Sequence, residues 1–417
     1  MHSNVLAGKC RNRKDTITPF NMTSSIEIAW VISFVVALLT TSLIHPVVVY
    51  VARKKRVYDN PNERKLQRNP VPLLGGVAVF IGMLAGLVTA HFLVGVGEYV
   101  PEFIAMVIML AVGTTDDVKG LSPYLRFVVE IAVVVLLMFM TGRSLNDFHG
   151  LWGVGEISSY ISVPLTIFAV VGIINAINLI DGVDGLSSGF CIMASLLFGA
   201  LFYTVGDNSM MAVALVSVGA LLPFFFHNVF GKSSKMFIGD GGTLMMGVII
   251  ASYVAHAISA GGKCEALDER GFGVIPFTLA VLAVPVFDTL RVMTARIMRH
   301  TSPFYPDKTH LHHLFIELGY SHAGVTVSVL SLNGLVVVAW WLSYYLGASI
   351  DVQLYVVLAF SLLITFVFYK FMRGQIARRT VIYRAMNKMG EATRIERRGI
   401  WLSMQHLVDW EFTKEQK

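Results

Sequence analysis

The sequence predicts an all-α polytopic membrane protein with about eleven transmembrane helices, and two observations carry this prediction. Of the 417 residues, 55% are hydrophobic and only 14% are charged, which is too apolar for a soluble globular protein of this length. Apolar runs of about 17 to 25 residues also recur along the chain between short polar breaks. Because backbone polar groups in hydrocarbon must be satisfied internally, these runs are expected to be helices.

The apolar runs can be assigned in order along the chain, and the third is the shortest of them. They lie near residues 26–51, 73–94, 103–113, 125–141, 161–179, 186–205, 212–230, 244–260, 274–298, 325–346 and 353–371.

The distribution of Lys and Arg predicts that the N-terminus is outside and the C-terminus is cytoplasmic. Cationic segments are retained on the cytoplasmic side of a membrane, and here they follow the first run and fill the tail. The two clusters are Arg53, Lys54, Lys55, Arg56, Arg64, Lys65 and Arg68, and then Arg373, Arg378, Arg379, Arg384, Lys388, Arg394, Arg397 and Arg398.

The first residues of the chain conflict with this topology. Lys9, Arg11, Arg13 and Lys14 would lie outside, and a biological start at Met22 removes the conflict. We therefore predict three regions: an N-terminal leader (1–24), a transmembrane catalytic domain (25–372) and a cytoplasmic amphipathic tail (373–417). The tail has apolar positions at helical spacing, which favours docking on the inner leaflet over a catalytic role.

Charge and cysteine content exclude several classes of protein. The formal net charge of +6 mostly reflects the cytoplasmic bias of Lys and Arg, so it does not indicate nucleic-acid binding. Cys10, Cys191 and Cys264 are too widely spaced for a metal motif or a disulfide framework.

Four polar clusters follow or precede apolar runs, and counting the spans places all four on one side of the membrane. The first is Asp116-Asp117, at the end of the third run. Adjacent carboxylates repel each other, so they are retained where a cation, a metal or a proton-transfer task compensates. A pair that is simply solvated at the interface is the alternative.

The second cluster is Asn175, Asn178, Asp181 and Asp184, which recur every three residues. On a continuing helix they would lie along one slowly rotating face. Four side chains that can bind metal or donate hydrogen bonds at the end of an apolar helix favour a functional site.

The third cluster is the turn Gly239-Asp240-Gly241-Gly242-Thr243, which precedes another apolar run. Its backbone N–H groups, at a helix N-terminus beside a carboxylate, suit a phosphate and its Mg²⁺. Such turns are also common without function. Phe237 could stack on a base or serve as an apolar anchor.

The fourth cluster, residues 302–313, ends in His310-Leu311-His312-His313. Three histidines could bind a transition metal, but no cysteine accompanies them and their spacing is not that of a zinc-protease helix. With Arg291, Arg296 and Arg299 upstream, contacts to a phosphorylated sugar fit better, and Asp288 is expected to orient an arginine.

The connection at residues 59–72 offers Arg64, Lys65 and Arg68 to an anionic lipid head group. Gly75-Gly76 then allows the second helix to start close to a neighbour or a substrate.

In this order, the clusters resemble the polyprenyl-phosphate N-acetylhexosamine-1-phosphate transferase family, which is a glycosyltransferase 4-type family. The resemblance covers roughly residues 43–320 by motif. It is carried by Asp116-Asp117, NAINLIDGVDGL at 175–186, FIGDGGTL at 237–244 and SPFYPDKTHLHH at 302–313. The last motif is most similar to the undecaprenyl-phosphate N-acetylglucosaminyl 1-phosphate transferase branch.

The resemblance implies a role for each candidate residue. Asn178 and Asp240 would bind Mg²⁺, with Mn²⁺ as a possible substitute, and the metal would bridge the UDP pyrophosphate. The catalytic carboxylates would be Asp116, Asp117, Asp181 and Asp184. Asp116 or Asp117 would receive the lipid phosphate near Lys119 and assist its deprotonation, while Asp181 and Asp184 would line the nucleotide pocket. The substrate-binding residues would be Lys119, Phe237, Arg299, His310, His312 and His313.

The sequence departs from the family pattern in the basic connection, where Gln67 and Leu73 replace a histidine and an arginine. This weakens a lipid-phosphate role for that segment. Thr243 replaces a serine and keeps its hydroxyl group.

The implied function is transfer of N-acetylglucosamine 1-phosphate from UDP-N-acetylglucosamine to undecaprenyl phosphate, with release of UMP. The expected location is the bacterial inner membrane, with the active site in the cytoplasm, and the expected partners are both substrates, the lipid bilayer and, if it assembles, a second copy in a homodimer. Alternatives are another UDP-N-acetyl-sugar, including UDP-N-acetylmuramoyl-pentapeptide, an ion-coupled transporter, or an inactive scaffold.

Overall fold

A computed structural model of the chain describes residues 19–59, 70–95, 97–303, 307–394, 399–410 and 412, with side chains from residue 25 onward. The described residues form a helical bundle. The helices are α1 (Pro19–Lys54), α2 (Gly75–Val94), α3 (Val100–Lys119), α4 (Pro123–Thr141), α5 (Ser159–Leu179), α6 (Leu186–Thr204), α7 (Asn208–Phe230), α8 (Gly239–Ile258), α9 (Val274–Val281), α10 (Ala283–Met298), α11 (Leu311–Glu317), α12 (His322–Tyr345), α13 (Ile350–Leu362), α14 (Tyr369–Arg378), α15 (Val381–Ala392) and α16 (Ile400–Val408).

Nine helices among the described residues are long and apolar enough to cross a membrane. A π-helical segment, Leu363–Phe368, joins α13 and α14 into one of these spans. Helices α9 and α10 are bent by 72° and make a tenth span if the pair is counted as one. The prediction of an all-α polytopic membrane protein is therefore confirmed, while the N-out topology stays a prediction.

Each of the eleven predicted runs coincides with one of these spans, with the bent pair or with α3. Helix α3 has 20 residues but carries Glu102 in its first turn and Asp116, Asp117 and Lys119 near its end. Because of these charges, α3 is not among the nine helices that are apolar enough to cross a membrane. Helix α3 packs directly on α8. At Gly113 the two helices are so close that a side chain would overlap the backbone of Asp240.

Helix α8 is the centre of the bundle. In its most apolar window, 94% of the residues are buried inside the protein. A helix that is apolar on all sides is expected to be surrounded by other helices, and α2, α3, α5 and α6 surround it here. Its two ends therefore lie at opposite ends of the bundle.

A short hairpin fixes the entry into α2. Strands β1 (Tyr58–Asp59) and β2 (Val71–Pro72) pair antiparallel, and the oxygen of Pro72 accepts the N–H of Phe237 at 2.9 Å. The N–H groups of Gly75 and Gly76 then donate to the oxygens of Phe237 and Ile238 at 3.0 and 2.8 Å. This confirms that the two glycines allow a close approach, since a side chain on Gly76 would overlap Gly242.

Several residues named from the sequence lie outside the described part of the chain, including residues 304–306 of the fourth cluster and Arg397 and Arg398 of the tail. Arg64, Lys65, Gln67 and Arg68 fall in the segment 60–69, and the basic residues before Met22 fall in the segment 1–18.

Candidate active site

Helices α3, α5 and α8 bring three of the four sequence clusters together at one end of the bundle. The Asp117 carboxylate, near the end of α3, accepts the backbone N–H groups of Asp240 at 2.9 Å and Gly241 at 3.1 Å. The Asn178 amide, near the end of α5, donates to Asp240 at 2.7 Å. The predicted convergence of these clusters is therefore present in the structure.

The contacts of Asp117 change the interpretation of the glycine-rich turn. We expected its backbone N–H groups to be available to a phosphate, but two of them already donate to Asp117. A carboxylate at a helix N-terminus satisfies N–H groups that have no partner within the helix and complements the helix dipole. Asp117 therefore holds the first turn of α8 beside α3, in addition to any catalytic role.

Asn178 and Asp240, the predicted metal ligands, are in direct contact. Asn178 also donates to the Thr243 hydroxyl at 2.8 Å, so that its amide bridges two residues of the first turn of α8. The hydroxyl that replaces the family's serine is thus part of the site. The second oxygen of Asp240 lies 3.5 Å from Arg126.

Arg126 and Glu130, which were missed at the sequence level, connect this site to α4. Arg126 lies 3.4 Å from Asp116 and 3.5 Å from Glu130, in addition to its contact with Asp240. Glu130 accepts from the amide of Asn175 at 2.5 Å. The signal in the sequence was a charged i, i+4 pair inside an apolar run, where ionisable side chains are rare and usually functional.

The second cluster does not continue as one helix, so its four side chains do not share a helical face. Helix α5 ends at Leu179, and Gly185 adopts a left-handed backbone (φ +76°) just before α6 begins. Asp181 and Asp184 therefore lie in a turn, residues 180–185, rather than on the helical face that carries Asn178. The glycine supplies a backbone conformation that other residues rarely adopt, which is the physical reason for the turn.

Asp181 is an exposed residue of this turn. Its carboxylate accepts from the Ser187 hydroxyl at 2.5 Å. Desolvation of its carboxylate raises the pKa of Asp181 to about 7, the serine hydrogen bond opposes that shift, and repulsion from Asp240, Asp117 and Asp184 adds to it. A nearby cation would relieve this repulsion.

Asp184 is held by two side chains that the sequence analysis did not select. Lys235 contacts its carboxylate at 2.5 Å, and the Nδ1 atom of His322, at the start of α12, lies 2.7 Å from it. Burial alone would raise the pKa of Asp184, but the hydrogen bond from His322 and the charge of Lys235 hold that pKa below its ordinary value.

Asn228 joins the two turns that flank this site. Its side chain accepts the N–H of Gly185 at 2.6 Å and donates to the oxygen of Met236 at 2.9 Å. Phe237 follows directly, and the Lys235 ammonium group lies 5.9 Å from the centre of its ring. The partly buried ring of Phe237 therefore lies beside the Asp184 network, where its predicted stacking on uracil stays a prediction.

The histidine segment reaches the same site. A side chain on Gly182 would overlap the ring of His312, so α11 packs against the turn that carries Asp181 and Asp184. Burial lowers the pKa of His312 well below its ordinary value, and burial followed by the charge of His310 lowers the pKa of His313 to about 4. Both rings are therefore neutral at pH 7.

Buried charges support this segment from α10. Asp288 binds Arg291 at 2.6 Å and the His310 ring at 3.0 Å, which confirms that Asp288 orients an arginine. Arg296 lies 2.9 Å from Asp307. Burial alone would raise the pKa of Asp307, but its hydrogen bond from Arg296 lowers the value to about 2.

Two predicted substrate-binding residues stand apart from these contacts. Lys119, the last residue of α3, and Arg299, which follows α10, are both exposed. Their contacts with substrate stay predictions.

The oxygen-rich site fits Mg²⁺ better than a transition metal. No three His, Cys, Asp or Glu side chains within the described residues form a preassembled metal site. Mg²⁺ is usually bound by one or two carboxylates together with substrate phosphates and water, so it does not require such a cage. Asp240 and Asn178 would hold it, among carboxylates whose mutual repulsion a cation would relieve.

Comparison with known proteins agrees with this geometry. The family described as glycosyl transferase family 4 matches residues 100–258. A probable undecaprenyl-phosphate N-acetylglucosaminyl 1-phosphate transferase from Bacillus subtilis is 30% identical over 312 residues, which cover 73% of this chain and 82% of that protein. The chain belongs to glycosyl transferase family 4.

Other relatives in this family are named in the same way. Undecaprenyl-phosphate alpha-N-acetylglucosaminyl 1-phosphate transferases from Yersinia pestis and Salmonella typhi are 29% and 27% identical. The alignments cover 72% and 68% of this chain, and 79% and 77% of the two relatives. The family resemblance predicted from the sequence is thus confirmed. The matched residues 100–258 contain three of the four motifs, and the histidine segment lies beyond them.

Proposed function

We propose that this protein transfers N-acetylglucosamine 1-phosphate from UDP-N-acetylglucosamine to undecaprenyl phosphate and releases UMP. The relatives' names support the two substrates. The observation that carries the proposal is the contact between Asn178 and Asp240, in the first turn of α8 that Asp117 also holds. This arrangement suits a divalent cation with a diphosphate.

In the reaction, a phosphate oxygen of the lipid attacks the β-phosphorus of the nucleotide sugar. A new oxygen–phosphorus bond forms, and the bond from the β-phosphorus to the oxygen shared with the α-phosphate breaks, which gives UMP and the lipid diphosphate sugar. Because the attacking oxygen is already anionic at neutral pH, the protein mainly has to position the two substrates in line and neutralise charge.

The residues of the site divide this work. Mg²⁺, when bound, would neutralise the diphosphate oxygens and the developing charge on UMP. Asn178 and Asp240 would hold it, while Asp117 keeps the turn of Asp240 in place through two backbone hydrogen bonds. The neutral rings of His312 and His313 would donate hydrogen bonds to the donor's phosphates and sugar.

Arg126 is available to the incoming lipid phosphate. It lies between Asp116 and Asp240, and about a fifth of its side chain is exposed (21%). A guanidinium group can bind a phosphate through two parallel hydrogen bonds, which suits it to orient the attacking group. The same position would bring the lipid phosphate beside the donor's diphosphate.

One assay tests the reaction and the donor together. Purified protein is incubated with undecaprenyl phosphate and a panel of UDP-sugars, and UMP release is followed with and without Mg²⁺. We expect release with UDP-N-acetylglucosamine that depends on Mg²⁺. A different preferred sugar would correct the donor, including UDP-N-acetylgalactosamine or UDP-N-acetylmuramoyl-pentapeptide, whereas no release with any member of the panel would contradict the proposal.

A pair of variants links the assay to the site. Asp240→Ala should abolish turnover while the protein remains folded in detergent, because it removes a carboxylate from the proposed cation site. Asp351→Ala is the matched control, since Asp351 accepts from the backbone N–H of Trp152 in a contact that belongs to neither the motifs nor their neighbours. Turnover by Asp240→Ala near the wild-type rate would exclude the metal assignment.

A further inference from the structure

The two partners of Asp184, Lys235 and His322, come from different parts of the chain. In both cases the residue directly before the partner is hydrogen-bonded to the C-terminal tail. Lys235 ends the turn 231–235 after α7, and His322 is the first residue of α12. The end of α16 lies against the first segment, and the end of α15 lies against the second.

Asp409, which caps the end of α16, holds the turn before Lys235. Its carboxylate accepts three consecutive backbone N–H groups, those of Lys232 at 3.0 Å, Ser233 at 3.1 Å and Ser234 at 2.8 Å. The carboxylate is 175 to 177 residues away from them in sequence and its residue is only 6% exposed. Bonds from N–H groups to an ionised carboxylate are stronger than those between neutral groups.

Apolar and polar contacts anchor α16 beside this turn. The rings of Trp401 and Phe230 have centroids 4.6 Å apart, and Phe412 is buried with Val48, Val49, Ala78 and Met236. From the opposite side, His45 is hydrogen-bonded to the oxygen of Ser234 at 2.9 Å. The turn is thus held between the tail and α1.

Thr393, directly after α15, holds the residue that precedes His322. The Thr393 hydroxyl accepts the N–H of Ser321 at 2.9 Å, and the Ser321 hydroxyl donates to the oxygen of Thr393 at 2.9 Å. Arg394 donates to the oxygen of Gly319 at 3.0 Å. Ser321 also caps the N-terminus of α12. These contacts therefore fix the position of His322, the first residue of that helix.

We propose that the C-terminal tail is a positioning element of the active site, because it holds both segments whose side chains bind Asp184. Asp409 acts on Lys235 through the turn, and Thr393 acts on His322 through Ser321. This inference rests on the proposed function for its effect on catalysis, and it assigns the tail a role beyond docking on the membrane surface.

Hydrogen exchange tests the contact itself, independently of the reaction. Asp409→Ala should speed exchange of the amides of Lys232, Ser233 and Ser234 by about tenfold or more, since bonds to a charged acceptor protect them. Leu407→Ala is the matched control, because Leu407 lies on the same helix with its side chain 69% exposed, and it should leave exchange unchanged. Wild-type exchange in Asp409→Ala would overturn the inference. If that variant fails to fold, Asp409→Asn gives the same test with a smaller increase.

Kinetics test the action on the site. Asp409→Ala should raise the KM for the UDP-sugar about tenfold, with a smaller change in kcat and an unchanged KM for undecaprenyl phosphate. In a double-mutant cycle with Lys235→Ala, the two effects should not add, because Asp409 acts through Lys235. Additive effects, or a general loss of activity matched by a lower Tm, would show that the tail only stabilises the fold.

The two failures are distinguishable. Absence of UMP release by the wild-type protein with every UDP-sugar would remove the proposed function, while the exchange rates at residues 232–234 would still decide whether Asp409 holds the turn.

Discussion

Asp117→Asn separates the structural contact of this residue from a role as a general base. The Asp117 carboxylate presents one oxygen to the N–H of Asp240 and the other to the N–H of Gly241. Asparagine has nearly the same shape but only one oxygen, so its NH₂ group would face one of these two N–H groups. The variant therefore loses one hydrogen bond and the negative charge at the N-terminus of α8.

The expected loss follows from that single bond. A hydrogen bond to a charged group contributes about 1.5 to 3 kcal/mol, which corresponds to roughly 10- to 150-fold in rate if it is fully expressed in the transition state. Displacement of the first turn of α8 moves Asp240, so the variant should also need more Mg²⁺ for half-maximal activity. Asp351→Asn is the matched control, because it makes the same change at a carboxylate that accepts the backbone N–H of Trp152, outside the motifs.

The assay is UMP release at varied Mg²⁺ and varied pH. If Asp117 acts by positioning the first turn of α8, Asp117→Asn should have a lower kcat/KM and a higher Mg²⁺ requirement, and its pH profile should keep the wild-type shape. Two results would refute this reasoning. Wild-type kinetics in Asp117→Asn would show that the bonds to α8 do not matter, and loss of an acidic limb from the pH profile at an unchanged Mg²⁺ requirement would identify Asp117 as a base.

Three further predictions concern packing and charge. Gly113→Ala should lower activity at least tenfold by pushing α3 from α8, whereas Gly172→Ala, which has open space around it, should not; equal activities would refute the close contact. Arg126→Gln should destabilise the protein by about 3 to 5 kcal/mol because it leaves Glu130 buried without its cation, and adding Glu130→Gln should restore most of this in thermal unfolding. Because burial lowers the pKa of His313 from 6.5 to about 4, the folded state resists protonation, so stability is intact above pH 6.5 and should fall as pH decreases toward 4, by up to about 3 kcal/mol. His313→Gln should reduce this pH dependence of the Tm, and an identical slope would contradict the assignment.

The membrane spans could be predicted from the sequence because length and hydropathy alone define them. Hydropathy does not indicate the direction of a helix axis. The apolar run at 274–298 therefore gave no sign of the 72° bend between α9 and α10. It also misses the role of α3, whose terminal charges are compensated by neighbours that only the fold brings close. Helix α3 was predicted as residues 103–113 and extends to Lys119.

The convergence of the motifs was also predictable, because short connections fix the side of the membrane on which each span ends. The contacts among their side chains were not. Lys235 and His322 are isolated polar residues next to apolar runs, and only tertiary packing brings both to Asp184. The helical period of the second cluster was misleading, since α5 ends at Leu179 and residues 180–185 form a turn before α6.

The tail shows a similar limit. Its helical spacing of apolar residues predicted an amphipathic segment, and α15 and α16 are helices. A carboxylate near the end of a charged tail gives no local sign that it will accept three backbone N–H groups, so the role of Asp409 required the structure.

Binding of Mn²⁺ tests the central claim most directly, namely that α5 and α8 together form one site for a divalent cation and a diphosphate. Mn²⁺ replaces Mg²⁺ at oxygen sites and can be counted by electron paramagnetic resonance as it is titrated into purified protein with UDP-N-acetylglucosamine. We predict one site per chain that is lost in both Asn178→Ala and Asp240→Ala. Unchanged binding in both variants, with the nucleotide sugar present, would contradict the account.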